Sequence, residues 1–197
     1  MKLSGSFGRG AYGWRVGDPT PSRRLARDDV LQDPLVRELL GARLVGVFAT
    51  FDRSGTIHAV PMWFAPDEGS VLLASGSRSR KVVNLEADPR ATLVVHDSRP
   101  GFEVCGVSIA GRVEIVRGAE AQPLVDRVHR RYVTETSEAL SPVREFLSSD
   151  DVALRLVPES ALTWDERAGN AAKALRRAGG ALPLVPTAPR SGSHPVE

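Results

Sequence analysis

The sequence predicts a mainly β fold (α+β): an antiparallel six-stranded barrel with short flanking helices. Three observations lead there. Runs of Val, Ile, Leu and Phe alternate with polar residues and are bounded by Gly, Pro and Asp turns. The element order is a helix, five mainly antiparallel strands interrupted by one short helix, two helices and a last strand. Gly106 and Gly111 fall inside the longest strand, where a small barrel needs bends.

The first firm element is the helix Asp33 to Gly41. Asp33 is an N-cap candidate, Pro34 suits the first helical position, and Leu35, Val36, Leu39 and Leu40 form one apolar face. Strands follow from Arg43 to Phe51 and from Thr56 to Phe64, joined as a hairpin by Asp52-Arg53-Ser54-Gly55. Pro61 cannot donate to a ladder, so its strand lies at an edge or carries a bulge. After the Pro66–Gly69 turn comes a third strand, Val71 to Ser75. Ala91 to His96 is the fourth and Phe102 to Val116 the fifth. A helix over Ala119 to Val133 places Leu124, Val125, Val128 and Tyr132 on its apolar side, and Ser141-Pro142 starts another. Val152 to Val157, extended by Ala161 to Trp164, closes the sheet.

The stretch Ser75 to Pro89 carries an unusual charge pattern. It reads as a turn and a short helix, capped by Ser77 or Ser79, with Val82, Val83 and Leu85 as its apolar side. Asp88-Pro89 ends it. Arg78, Arg80 and Lys81 crowd the first turn, where the helix dipole disfavours cations. Either a phosphate occupies that turn, taking free N–H groups, serine hydroxyls and basic heads together, or the turn is simply solvated.

Residues 1–30 read as a basic, disordered or loosely docked extension, in which Tyr12 and Trp14 are out of place for a pure tail. The barrel domain is expected over 31–166, with a polar helix and a Pro/Ser/Gly tail over 167–197. Net charge is +2 over 197 residues and the base sits mainly in the two ends, which argues against a dedicated nucleic-acid binder. Cys105 is the only cysteine, so no intrachain disulfide forms, as suits a cytoplasmic location. No apolar run is long enough to span a membrane and no secretory signal is evident.

Several pieces then fall in a familiar order: Val60-Pro61-Met62-Trp63-Phe64, Leu73-Ala74-Ser75-Gly76-Ser77, Ser79-Arg80-Lys81-Val82-Val83-Asn84-Leu85 with Asp88-Pro89-Arg90, Val107 to Glu114, and Leu162-Thr163-Trp164-Asp165. From Arg43 to Trp164 the chain resembles the flavin-reductase-like split β-barrel superfamily, that of pyridoxamine 5′-phosphate oxidase. The resemblance implies a homodimer with two cofactors in grooves between protomers. It places Ser79, Arg80 and Lys81 on the flavin phosphate, and Val60, Pro61, Met62 and Trp63 along the isoalloxazine ring. Ser75, Ser77 and Asn84 complete the candidate cofactor-binding set. No catalytic residue is named by it.

Gly106 stands near where the oxidase has a ring-contacting Gln, and the oxidase's substrate-phosphate residues find no match. The short Ser79–Leu85 helix and the Leu162–Asp165 ending are more similar to the deazaflavin branch. That similarity implies an oxidoreductase passing a hydride between coenzyme F420 and a small organic substrate. An FMN-dependent oxidase or reductase, or a non-catalytic flavin- or haem-binding barrel, is the alternative. Partners are expected to be a second copy of the chain and a small molecule, without nucleic acid or membrane.

Other candidate chemistry is thin. His58, His96, His129 and His194 show no metal-ligand spacing, among themselves or with Cys105. Trp63 and Trp164 suit either a cofactor or the core. Arg127, Arg130 and Arg131 read as a solvated helix face.

Overall fold

The computed structural model describes residues 22–99 and 103–179. Its elements are β1 (Arg23–Ala26), α1 (Arg27–Val30), α2 (Pro34–Gly41), β2 (Gly46–Phe51), β3 (Ile57–Met62), β4 (Phe64–Asp67), β5 (Ser70–Gly76), α3 (Arg80–Ala87), β6 (Arg90–Arg99) and β7 (Glu103–Val116). Then come a 3-10 turn (Gly118–Glu120), α4 (Gln122–His129), α5 (Glu135–Glu138), α6 (Ser141–Leu147), β8 (Asp151–Asp165) and α7 (Asn170–Arg177).

One antiparallel sheet of eight strands carries the fold, in the order β3-β2-β6-β7-β8-β5-β4, with β1 paired to β8. It curls around a core that includes Phe48, Phe64, Leu73, Leu93, Ile109, Leu154 and Leu156, all fully buried. The curl is a split barrel: the path ends at β3 and β4, neighbours in sequence with only Trp63 between them. The long β8 holds it together. One edge pairs with β7 along nearly its whole length; the other pairs first with β5 and then with β1. The register slips between Ala110 and Gly111, where Gly111 faces Pro158. A Cβ on Gly111 would lie 2.1 Å from the Val157 carbonyl oxygen, so only glycine fits this bend. Gly106 answers a different need. It pairs across the ladder with Trp164, whose indole lies where a Cβ would stand, 2.2 Å away.

Two strands exceed the six expected. The expected strand Thr56 to Phe64 divides at Trp63: β3 pairs with β2, and β4 pairs with β5. The apolar alternation continues through Met62 and Phe64, both buried, so nothing local marks the change of partner. Pro61 lies on β3, at the edge of the sheet. The other added strand, β1, arises within the expected 1–30 extension. Arg23 donates to Asp33 at 2.6 Å, and Thr163 Oγ1 donates to the Arg23 carbonyl. Residues 1–21, with Tyr12 and Trp14, and 180–197 lie outside the described residues.

Helix α2 starts as its sequence dictates. Asp33 Oδ1 accepts from the amides of Leu35 and Val36 at 3.0 and 3.3 Å, with Pro34 at the first helical position. Its far end is capped by Arg131, which donates to the carbonyls of Leu40 and Ala42. Arg127 likewise donates to the Pro66 carbonyl and the Asp67 carboxylate. So Arg127 and Arg131 tie loops together rather than forming a solvated face. The expected helix 119–133 is shorter, a 3-10 turn followed by α4. In α3, Val82 and Leu85 are buried but Val83 is exposed, and Asn84 takes the inner position instead. Asp88 is extended at the C-cap, as a residue before proline must be. Among the described residues no helix is long and apolar enough to cross a membrane, and no cluster of metal-ligating side chains occurs.

Candidate functional site

A cavity of about 420 Å³ lies where β3 ends, beside the end of β5. Val45, Pro61, Met62 and Trp63 form one wall, and Ala74, Ser75 and Gly76 from the end of β5 form another. Lys81 from the first turn of α3, Val128 and His129 from α4, Phe146 from α6 and Asp151 from β8 complete it. Cavities of this size hold small ligands.

The aromatic groups are packed against one another. Trp63 stacks on Tyr132, meets Phe146 edge-on at 5.8 Å, and meets His129 edge-on at 6.4 Å. His129 also lies 5.2 Å from the Phe146 ring. The cavity is thus apolar and flat-walled on one side.

The other side is polar. Gly76 pairs with Asp151 across the β5–β8 ladder, which brings the β5 terminus, the start of α3 and the start of β8 to one place. Lys81 is half-buried there. Burial pushes its ammonium below the ordinary lysine value, and the Asp151 charge opposes that. Yet among the described residues Lys81 has no ion-pair partner. Among them, its only countercharge in the cavity is Asp151, and a half-buried ammonium so placed can take up an anion.

The remaining sequence-derived candidates divide. Pro61, Met62, Trp63, Ser75 and Lys81 line the cavity; Ser77 and Ser79 line a shallow depression beside it, with Gly76, Arg78 and Asp150. Ser79 sits at the N-cap of α3 without capping it; its hydroxyl lies 2.8 Å from that of Ser75. Ser77 donates to Asp150 at 2.5 Å. Val60 packs against the core cluster instead. Arg80 is drawn away to Asp52, at 3.0 Å. The Asp52 carboxyl is held below its ordinary value chiefly by the Ser54 hydroxyl, with Arg80 adding to it. Asn84 is buried, and its amide donates to Thr50 Oγ1 at 3.0 Å, so it serves the packing of α3 on β2.

Sequence reasoning missed His129, Asp151, Phe146 and Tyr132. His129 Nε2 lies 3.5 Å from Asp151 Oδ2, both side chains being nearly buried. His129 Nδ1 is buried and has no hydrogen-bond partner among the described residues. Burial holds this imidazole below the ordinary histidine value, while Asp151 and then Asp126 pull it back up. One signal was present: His129 follows Val125 by four positions on the apolar face of α4.

The chain is a split antiparallel barrel with a cavity at its opening that is apolar on one side and polar on the other. The chain belongs to the pyridoxamine 5′-phosphate oxidase family, whose model matches residues 33–165. No curated protein matches the sequence. Among solved structures it is similar to the conserved hypothetical protein Rv2991 from Mycobacterium tuberculosis, at 25% identity and TM-score 0.58, covering 84% of this chain and 98% of that one. An F420 reductase matches at 24% identity and TM-score 0.50, covering 64% of this chain and 94% of that one. HutZ, the haem storage protein from Vibrio cholerae, matches at 16% identity and TM-score 0.54, covering 68% and 94%. At those identities the last two show a shared fold alone.

Proposed function

We propose that the protein is an oxidoreductase that binds the deazaflavin coenzyme F420 in this cavity and reduces a small organic substrate. The observation that carries the reading is Lys81: a half-buried ammonium without an ion-pair partner among the described residues, at the polar end of an otherwise aromatic and apolar cavity. A flat ring with a phosphate tail is complementary to both ends. Lys81, the Ser75 and Ser79 hydroxyls and the free N–H groups at the start of α3 suit the phosphate. The wall formed by Pro61, Met62 and Trp63 suits the ring edge. When bound in its reduced form, the coenzyme supplies a hydride equivalent to an electron-poor double bond. The protein's part is to hold the substrate flat against that wall and exclude water.

The active unit is a homodimer. On the outer face of the sheet a row of cross-strand partners runs Pro61, Val47, Val94, Ser108, Leu162. The next row runs Ala59, Ala49, Thr92, Ala110, Ser160. None of the ten carries a charge, while Val47 is 39%, Leu162 38% and nearby Ile57 63% exposed. A continuous uncharged sheet face of this breadth suits a second copy. Pro61 belongs to both the face and the cavity, so the partner would border the ligand. A cytoplasmic location accords with this reading.

FMN is the second candidate, because the same phosphate chemistry at Lys81 would serve it. Titration of the purified protein with each coenzyme, followed by fluorescence quenching, tests the proposal. Bound FMN absorbs near about 450 nm and the deazaflavin near about 420 nm, while haem would show a Soret band. Tight binding of the deazaflavin is the expected result. Binding of neither coenzyme would end the reading, and a Soret band from co-purified haem would replace it.

A further inference from the structure

We propose that His129 and Asp151 form the proton-transfer pair of this site, with the imidazole delivering the proton that must follow the hydride onto the substrate. The inference rests on the function proposed above. Reduction of an electron-poor double bond requires a hydride at one atom and a proton at the other. As the hydride arrives, the π electron pair of the bond moves to the far atom and takes the proton from the imidazolium, whose Nε2 faces Asp151. Histidine is left neutral, the coenzyme is oxidised by two electrons, and the imidazole regains its proton from solvent.

The geometry selects this pair. Three titratable side chains line the cavity among the described residues: Lys81, His129 and Asp151. Lys81 lies at the polar end, where the Asp151 charge also acts on it. His129 comes from α4 and Asp151 from β8, and they face each other with Nε2 and Oδ2 3.5 Å apart. Side-chain exposures of 5% and 9% leave the pair little contact with bulk water. His129 also lies against Phe146 and Trp63, the aromatic wall on which a flat substrate would rest. The carboxylate orients the imidazole and stabilises its charged form, while burial favours the neutral one. The charged groups acting on His129 are Asp151 on β8 and Asp126 on its own helix, with Lys81 on α3 in the same cavity.

The test has two arms on the full chain. The first needs no coenzyme: the His129 ring is titrated by NMR in the wild type and in Asp151→Asn. If the two groups act as a pair, the variant's midpoint moves to lower pH; an unmoved midpoint overturns the inference. The second uses the reduced deazaflavin with cyclohex-2-enone as an activated C=C probe. His129→Gln is expected to lower the turnover rate by about 100-fold and to flatten its fall with rising pH, while coenzyme affinity stays within about twofold. Unchanged turnover and pH profile with intact binding would overturn the pair and leave the proposed function standing. Failure to bind either coenzyme would overturn both. If the wild type does not reduce the probe, the NMR arm decides.

Discussion

Trp63 and Tyr132 stack in parallel, their ring centroids 4.9 Å apart and their planes 4° from each other. The stack sits where the chain leaves β3 for β4. The Tyr132 hydroxyl lies 2.7 Å from the Leu44 carbonyl oxygen and 3.1 Å from that of Phe64, on either side of the opening. One side chain therefore fixes both the indole that walls the cavity and the backbone that frames it.

Replacing Tyr132 separates these two roles. Tyr132→Phe keeps the stack but removes the hydroxyl, at a cost of about 1 kcal/mol. Tyr132→Leu loses the stack as well, for a further cost of about 0.5–1.5 kcal/mol. Urea unfolding measures both steps. Equal stability of the two variants would show that the stack contributes nothing.

Lys81 and Arg80 are neighbours with unequal roles. Lys81→Ala is expected to weaken deazaflavin binding by about 1.5–3 kcal/mol, the range for a hydrogen bond to a charged group. Arg80→Ala should weaken it far less, because its guanidinium serves Asp52. Fluorescence titration of each variant reads the difference, and equal losses would place both heads on the ligand.

Acidification should destabilise the fold through His129. Its folded pKa is depressed by burial, so the unfolded chain, titrating near the ordinary 6.5, takes up the proton first as pH falls. The stability is fully present above that value and is lost as pH drops through the folded pKa. Urea midpoints at about pH 7.5 and about pH 5 should differ more for the wild type than for His129→Gln. The same difference in both would remove His129 from the acid response.

Gly106 and Trp164 should be energetically coupled. Gly106→Ala puts a methyl into the indole and is expected to cost about 1–3 kcal/mol. In a cycle with Trp164→Leu, which clears the space, the coupling should reach at least about 0.5 kcal/mol. Simple additivity would mean that the indole moves aside freely.

The uncharged sheet face makes oligomeric state testable. Ile57→Lys combined with Leu162→Lys is expected to give monomers in sedimentation, against a wild-type dimer. A double variant that sediments like the wild type would move the interface elsewhere.

Much of this architecture was legible in the sequence because strand alternation and turn chemistry are local. The Asp33-Pro34 start of α2, the hairpin at Asp52–Gly55 and the bend at Gly111 follow from residues a few positions apart. Partner choice does not. The switch at Trp63 and the pairing of Arg23–Ala26 with β8 depend on strands distant in sequence. The site divides the same way. The β3–β4 wall and Lys81 lie in compact motifs, so their residue types draw notice. His129 and Asp151 are isolated in sequence and gain meaning only when α4 is laid against β8. Asn84 shows the converse, a polar residue in a ligand-like motif whose amide is committed to Thr50.

The long β8 also governs the order of assembly during synthesis. It supplies neighbours for β7, β5 and β1 at once, yet it is the last of the described strands in sequence order. Until Asp165 has left the ribosome, β5 and β7 each lack the ladder that joins them, and their apolar faces stay open. A chain whose ladders depend on such distant contacts closes its sheet late, and its apolar faces are open to association until then.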